Sequence, residues 1–181
     1  MKRTVLLTVT LLTLALAAPA TATAGVDAAS AFETLKGLEG TWVGTATPQG
    51  MEEEAAAEEV QGELKHVIQV SANGTVVMET MRPGTDHEMI NMYTIDGDDL
   101  LLTHYCAGGN QPRMKLDLAN ATATELSFEF AGGSNLDPET DPHIHAARLV
   151  IDGNKMESNW MGYQGGEHAG TMTFNLERTA D

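Results

Sequence analysis

From Thr41 onward the chain is a succession of short β-prone runs, joined by tight turns and longer loops, with no helical crossover between them. The runs cover residues 41–45, 66–71, 75–81, 87–95, 100–106, 113–118, 125–131, 143–151, 154–162 and 168–178. Asn73-Gly74 reads as a two-residue hairpin turn, Asp96-Gly97-Asp98 and Asp152-Gly153 close two more hairpins, and Pro83-Gly84, Gly108-Gly109 and Gly165-Gly166 break the chain elsewhere. Strands joined this way pair antiparallel, which argues against a parallel α/β sheet. About ten meandering strands leave two exposed edges unless the sheet closes, and closure into an up-and-down barrel removes both and encloses room for one small ligand. A two-sheet sandwich is the alternative.

The alternation within the runs gives the barrel an inside. Leu126, Phe128 and Phe130 share a face against Glu125, Ser127 and Glu129. Met172, Phe174 and Leu176 oppose Thr171, Thr173, Asn175 and Glu177, and Leu116 and Leu118 oppose Lys115 and Asp117. These apolar faces are core.

Ahead of the first strand, Ser30 caps a short helix in which Phe32, Leu35 and Leu38 share a face, stopped by Gly37 and Gly40. Further upstream, Lys2 and Arg3 precede an uncharged apolar run over residues 5–18, and Ala22-Thr23-Ala24 supplies the small residues a signal peptidase accepts. Residues 1–24 therefore read as a secretory signal, with an apolar run too short to span a bilayer. The expected organisation is a signal at 1–24, a helix and lead-in at 25–40, and one barrel domain at 41–181. The expected location is the periplasm or the extracellular medium.

Lys2 and Arg3 are two of the 10 basic residues set against 26 acidic ones, so cleavage takes the formal net charge from −16 to −18. A chain this acidic is repelled by nucleic acid and by anionic lipid, so neither nucleic acid nor, after cleavage, a membrane is an expected partner. Residues 52–59 are rich in Ala and Glu and read as a solvated connection or a short helix. Cys106 is the single cysteine, which rules out an internal disulfide and leaves a buried apolar residue or a thiol.

In a meander, alternate connections lie at opposite ends of the sheet. That places His87, His104, His143, His145 and His168 at one end with Cys106 and Trp160. This end carries the longer loops, so it is the expected mouth. His104 and Cys106 continue the face of Leu100 and Leu102, His143 and His145 that of Leu149 and Ile151, and His168 that of Met172 and Phe174. With Asp152-Gly153 as a two-residue turn, His145 falls opposite Trp160. The partner of His104 is Ile90 if the Gly97 turn has three residues and Asn91 if it has two.

A buried imidazole costs free energy unless it is hydrogen-bonded. Three readings of the cluster are open. The histidines are rim residues with ordinary hydrogen bonds; or His104, Cys106, Arg113, His143, His145, Trp160 and His168 line a pocket for an organic small molecule; or His104, His143 and His145 hold a metal such as zinc, or a histidine holds haem iron. Arg113 either meets an anionic ligand at the mouth or pairs with a carboxylate. Asp137, Glu139 and Asp141 match no calcium loop and read as a solvated loop. No G-x-S-x-G elbow, H-E-x-x-H, phosphate-binding loop or dinucleotide fingerprint is present, and nothing orients a Cys106–His104 dyad, so no catalytic residue is assigned.

The segment from Leu35 to Gly44, Leu35-Lys36-Gly37-Leu38-Glu39-Gly40-Thr41-Trp42-Val43-Gly44, resembles the start of a lipocalin-like (calycin) barrel, where a short helix precedes a strand carrying G-x-W. That resemblance implies a helix closing the end opposite the histidines, with Trp42 packed beneath it. Thr103-His104-Tyr105-Cys106-Ala107-Gly108-Gly109-Asn110-Gln111-Pro112-Arg113-Met114, with Pro142-His143-Ile144-His145, is similar to exported bacterial proteins of lipocalin-like or unknown type, which carry no established activity. The layout of ten strands after G-x-W-x-G is also similar to nitrobindin-type haem barrels, and that likeness implies His168 as the iron ligand. The expectation is an all-β barrel that binds a small molecule without catalysis. The competing classes are a metal or haem protein with redox or hydrolytic activity, and an interaction module with an empty core.

Overall fold

The computed structural model describes residues 25–51 and 64–180; the expected export signal at 1–24 and the Glu-rich run at 52–59 lie outside the described residues. A helix, α1 (Ala28–Lys36), precedes ten strands: β1 (Gly40–Gln49), β2 (Leu64–Ser71), β3 (Val76–Met81), β4 (Met89–Asp96), β5 (Asp99–Tyr105), β6 (Gln111–Leu116), β7 (Glu125–Ser134), β8 (His143–Asp152), β9 (Lys155–Gln164) and β10 (Glu167–Arg178). Every neighbouring pair is antiparallel, and β1 pairs with both β2 and β10, so the sheet closes into a barrel with no free edge. The sandwich alternative falls with that closure.

The period-2 alternation places the core as the sequence indicates. Leu100, Leu102, Met114, Leu116, Leu126, Phe128, Leu149 and Phe174 are all buried. Pairing of β1 with β10 demands Gly44: a Cβ there would lie 1.9 Å from the Asn175 carbonyl oxygen.

The helix is capped by Asp27 rather than Ser30. The Asp27 carboxylate accepts from the Ser30 amide at 2.7 Å, three residues on, so Ser30 lies inside the first turn. Ala31, Phe32 and Leu35 are buried, and Leu38 follows them into the core. The Trp42 indole donates to the Leu38 carbonyl at 2.8 Å and is wholly buried, which ties the helix to β1. Leu35 and Leu38 meet Ile68, Val77, Tyr93, Leu149 and Met156 at this end of the interior.

Two connections differ from the expected turns, and both differences matter to the interior. Between β2 and β3 the loop has four residues, because Ser71 pairs with Val76; Ala72, Asn73 and Gly74 all take positive φ, and the Thr75 hydroxyl closes the turn on the Ala72 carbonyl. Between β8 and β9 the turn is Gly153-Asn154, with Asp152 opposite Lys155. That moves the register by two, so Trp160 faces Ala147, and His145 sits in a bulge between Ile144 and Ala146. The expected His145–Trp160 pair is therefore corrected. The β4–β5 turn is Gly97-Asp98, with Asp96 opposite Asp99, and this settles the partner of His104 as Asn91.

Candidate functional site

Four polar residues on successive strands face inward where an apolar residue is expected. His66 on β2 is in phase with buried Ile68, Glu79 on β3 lies between Val77 and Met81, Asn91 on β4 is two residues from Tyr93, and His104 on β5 is two residues from Leu102. All four are at most 1% exposed. They are joined end to end: His66 Nδ1 lies 2.8 Å from Glu79 Oε1, Asn91 Nδ2 lies 2.9 Å from Glu79 Oε2, and His104 Nδ1 lies 2.7 Å from Asn91 Oδ1. The Tyr93 hydroxyl adds a fourth contact, donating to Glu79 Oε2 at 3.0 Å.

Burial pushes the Glu79 carboxyl up. The hydrogen bond from His66, the charge of that imidazole and the bonds from Asn91 and Tyr93 outweigh burial, and the group stays ionised below its ordinary range. An ionised carboxylate only accepts, so the Asn91 amide nitrogen must face it and the Asn91 oxygen must face His104. His104 then has to carry its proton on Nδ1. Burial lowers the His104 pKa to about 4 against the opposing pull of Glu79, so the ring is neutral and its Nε2 is a bare acceptor. That Nε2 is buried with no hydrogen-bond partner among the described residues, as is the Nε2 of His66. The same Glu79 charge and the same burial hold the Tyr93 hydroxyl well above its usual range, so it remains a donor.

At the end opposite α1, a cavity of about 300 Å³ opens between the longer loops. His104, Cys106 and His143 line it with Trp160, Tyr163, Phe174 and the methionines 51, 81, 89 and 172. The His104 ring packs against the Trp160 ring with centroids 5.4 Å apart. Asn110 joins two rim loops by donating to the Pro142 carbonyl at 2.8 Å.

Four of the residues singled out from the sequence thus line one cavity: His104, Cys106, His143 and Trp160. Cys106 is half-buried on its wall rather than sunk in the core. Arg113 is exposed on β6 and is not among the lining residues. His168 is exposed and lies 3.0 Å from the Thr171 hydroxyl. His87 sits in the 82–88 loop. His143 and His145 bond each other. His143 Nδ1 donates to the Asp141 carbonyl at 2.9 Å, and its Nε2 lies 3.0 Å from His145 Nδ1. His145 lies between two aromatic rings, 4.6 Å from Phe130 and 4.1 Å from Tyr163, centroid to centroid. Burial and the neighbouring His143 lower its pKa.

Both nitrogens of His143 are occupied by these bonds. Among the described residues, no group of three or more His, Cys, Asp and Glu side chains is arranged to hold a metal ion. His66, Glu79, Asn91 and Tyr93 are the functional candidates that the sequence reading passed over. A signal for one was present: Glu79 is in phase with Val77 and Met81, a charge on a core face.

Fold and site together define a closed ten-stranded antiparallel barrel, capped at one end by a helix, with a buried polar chain leading to a cavity at the other. No protein-family model matches the chain, and no curated protein matches it either.

Proposed function

We propose that the protein is an exported carrier of lipocalin-like kind that binds one small, largely apolar molecule at the mouth of its barrel and does not transform it. The observation that carries this reading is the cavity of about 300 Å³, walled by methionine and aromatic side chains, with the partnerless Nε2 of His104 on a residue that lines it. Ligand sites combine an apolar wall with a few fixed polar groups, and a buried acceptor without a partner costs free energy that a ligand donor would recover. The closed barrel with its leading helix is compatible with a lipocalin-like barrel, which supports a carrier role. A metal or haem reading has less support, because both His143 nitrogens are engaged and the implied iron ligand His168 lies outside the cavity lining.

The test is native mass spectrometry of untagged protein from its own source, alongside titration with the neutral fluorophore N-phenyl-1-naphthylamine. A co-purified apolar mass, or a saturable fluorescence rise, that disappears in folded Cys106→Trp, which fills the cavity, supports the reading. A folded wild-type protein with neither overturns it.

A further inference from the structure

The polar chain does more than satisfy its own members. It fixes the polarity of the partnerless His104 Nε2, and with it the chemical class of ligand. We propose that the mouth cavity selects neutral molecules that donate a hydrogen bond, an alcohol, phenol or N–H, and rejects carboxylates and phosphates, because Glu79 acting through Asn91 locks His104 as a hydrogen-bond acceptor. This inference rests on the reading of the cavity as a ligand site.

Donor and acceptor roles are forced along the polar chain. Glu79 accepts from His66, Asn91 and Tyr93 and has nothing to give. Asn91 therefore turns its oxygen to His104, 2.7 Å away, and His104 spends its only proton there. What remains at Nε2 is a lone pair, buried and without a partner. A ligand with a donor completes it. A ligand presenting only lone pairs brings two acceptors together in a dry site and leaves both unsatisfied.

Charge acts in the same direction. Among the described residues, no lysine or arginine lines the cavity. The buried carboxylate of Glu79 lies one side chain behind His104, and the chain as a whole carries a formal charge of −16. The net negative charge repels an anion. The His66 Nε2 is also partnerless, but His66 is not among the cavity-lining residues, whereas His104 is.

Three ligands of nearly one shape separate the possibilities: 1-naphthol donates, 1-methoxynaphthalene only accepts, and 1-naphthoate is an anion. Calorimetric titration of the full folded chain should give naphthol at least about tenfold tighter than the methyl ether, with naphthoate weakest. In Asn91→Leu, His104 is free to move its proton to Nε2, and the preference for naphthol over the ether should shrink to about threefold or less. His104→Phe keeps the ring and removes the acceptor, and should erase the preference even if Asn91→Leu does not fold. Equal wild-type binding of naphthol and the ether, or tighter binding of naphthoate, overturns the inference and leaves the carrier reading standing. Failure of all three, and of N-phenyl-1-naphthylamine, overturns both.

Discussion

The guanidinium of Arg178, near the end of β10, lies over the indole of Trp42 on β1, 4.8 Å from the ring centroid. Its Nη2 also donates to the Gly37 carbonyl at 2.7 Å. One side chain thus joins the helix, the first strand and the last strand where the barrel closes. Arg178→Ala should lower stability by about 1–2 kcal/mol, the size of a cation–π contact and one charged hydrogen bond. Arg178→Lys should recover only part of it, because lysine cannot lie flat on the ring and reach the carbonyl together. Urea denaturation measures both; an unchanged midpoint for Arg178→Ala would remove Arg178 from the closure.

Gly44→Ala tests the same seam from the backbone side. A methyl group 1.9 Å from the Asn175 carbonyl oxygen forces β1 and β10 apart, since a carbonyl in a strand ladder has nowhere to retreat. The expected loss is about 2–3 kcal/mol, in the range of overpacked cores. Hydrogen exchange should show the added opening concentrated in β1 and β10. Protection lost evenly around the barrel would contradict the local clash.

Glu79→Gln keeps the shape of the side chain and removes its charge. The amide offers one acceptor oxygen and one NH2 group where three donors converge, so at least one donor is left facing another. A cost of about 3 kcal/mol follows from unpairing a buried ionic group. The thermal midpoint of Glu79→Gln against wild type measures it. A variant as stable as wild type would mean that the carboxylate is not ionised inside the barrel.

Stability should depend on acid in a defined window. The His104 pKa stands at about 4 in the folded chain against an ordinary 6.5, so between those values the unfolded chain binds a proton that the folded chain refuses. Stability is therefore complete above about pH 6.5 and falls as pH drops toward 4, by up to about 3 kcal/mol from this group. Glu79, whose folded value is lowered, adds a further loss as pH falls below the ordinary carboxyl range. His104→Phe should flatten the upper part of the curve. Ligand affinity should stay level from pH 8 to about 5, since the acceptor persists until His104 protonates. Affinity that falls with a midpoint near 6.5 would show that His104 is solvated.

The barrel was legible in the sequence because its signals are local. Alternation such as Leu126, Phe128, Phe130 against Glu125, Ser127, Glu129 needs no tertiary information, and each of the ten expected runs overlaps a strand. Register was less legible, because it hangs on single turn residues. Whether Asp96 or Gly97 begins the turn decides if His104 meets Ile90 or Asn91, and a turn shifted to Gly153-Asn154, with the bulge at His145, moved Trp160 to Ala147. The candidate site was half legible. His104, Cys106, His143 and Trp160 were found by phase and by their end of the barrel. The set His66, Glu79, Asn91 and Tyr93 was not, because its members lie on three strands and make sense only together; alone, Glu79 is a single charge on a core face with no partner in its own strand.

The seam between β1 and β10 also has a temporal meaning. The Gly37–Arg178 bond spans 141 residues of chain, and β10 is the strand that closes the barrel against β1. Contacts so distant form late and slowly, since the loop they close must first be ordered. Until β10 docks, the growing sheet presents two raw edges to any neighbour of the same kind. The last strand to emerge is thus the one that protects all the others from intermolecular pairing, and its arrival rate sets how long each new molecule is exposed to aggregation.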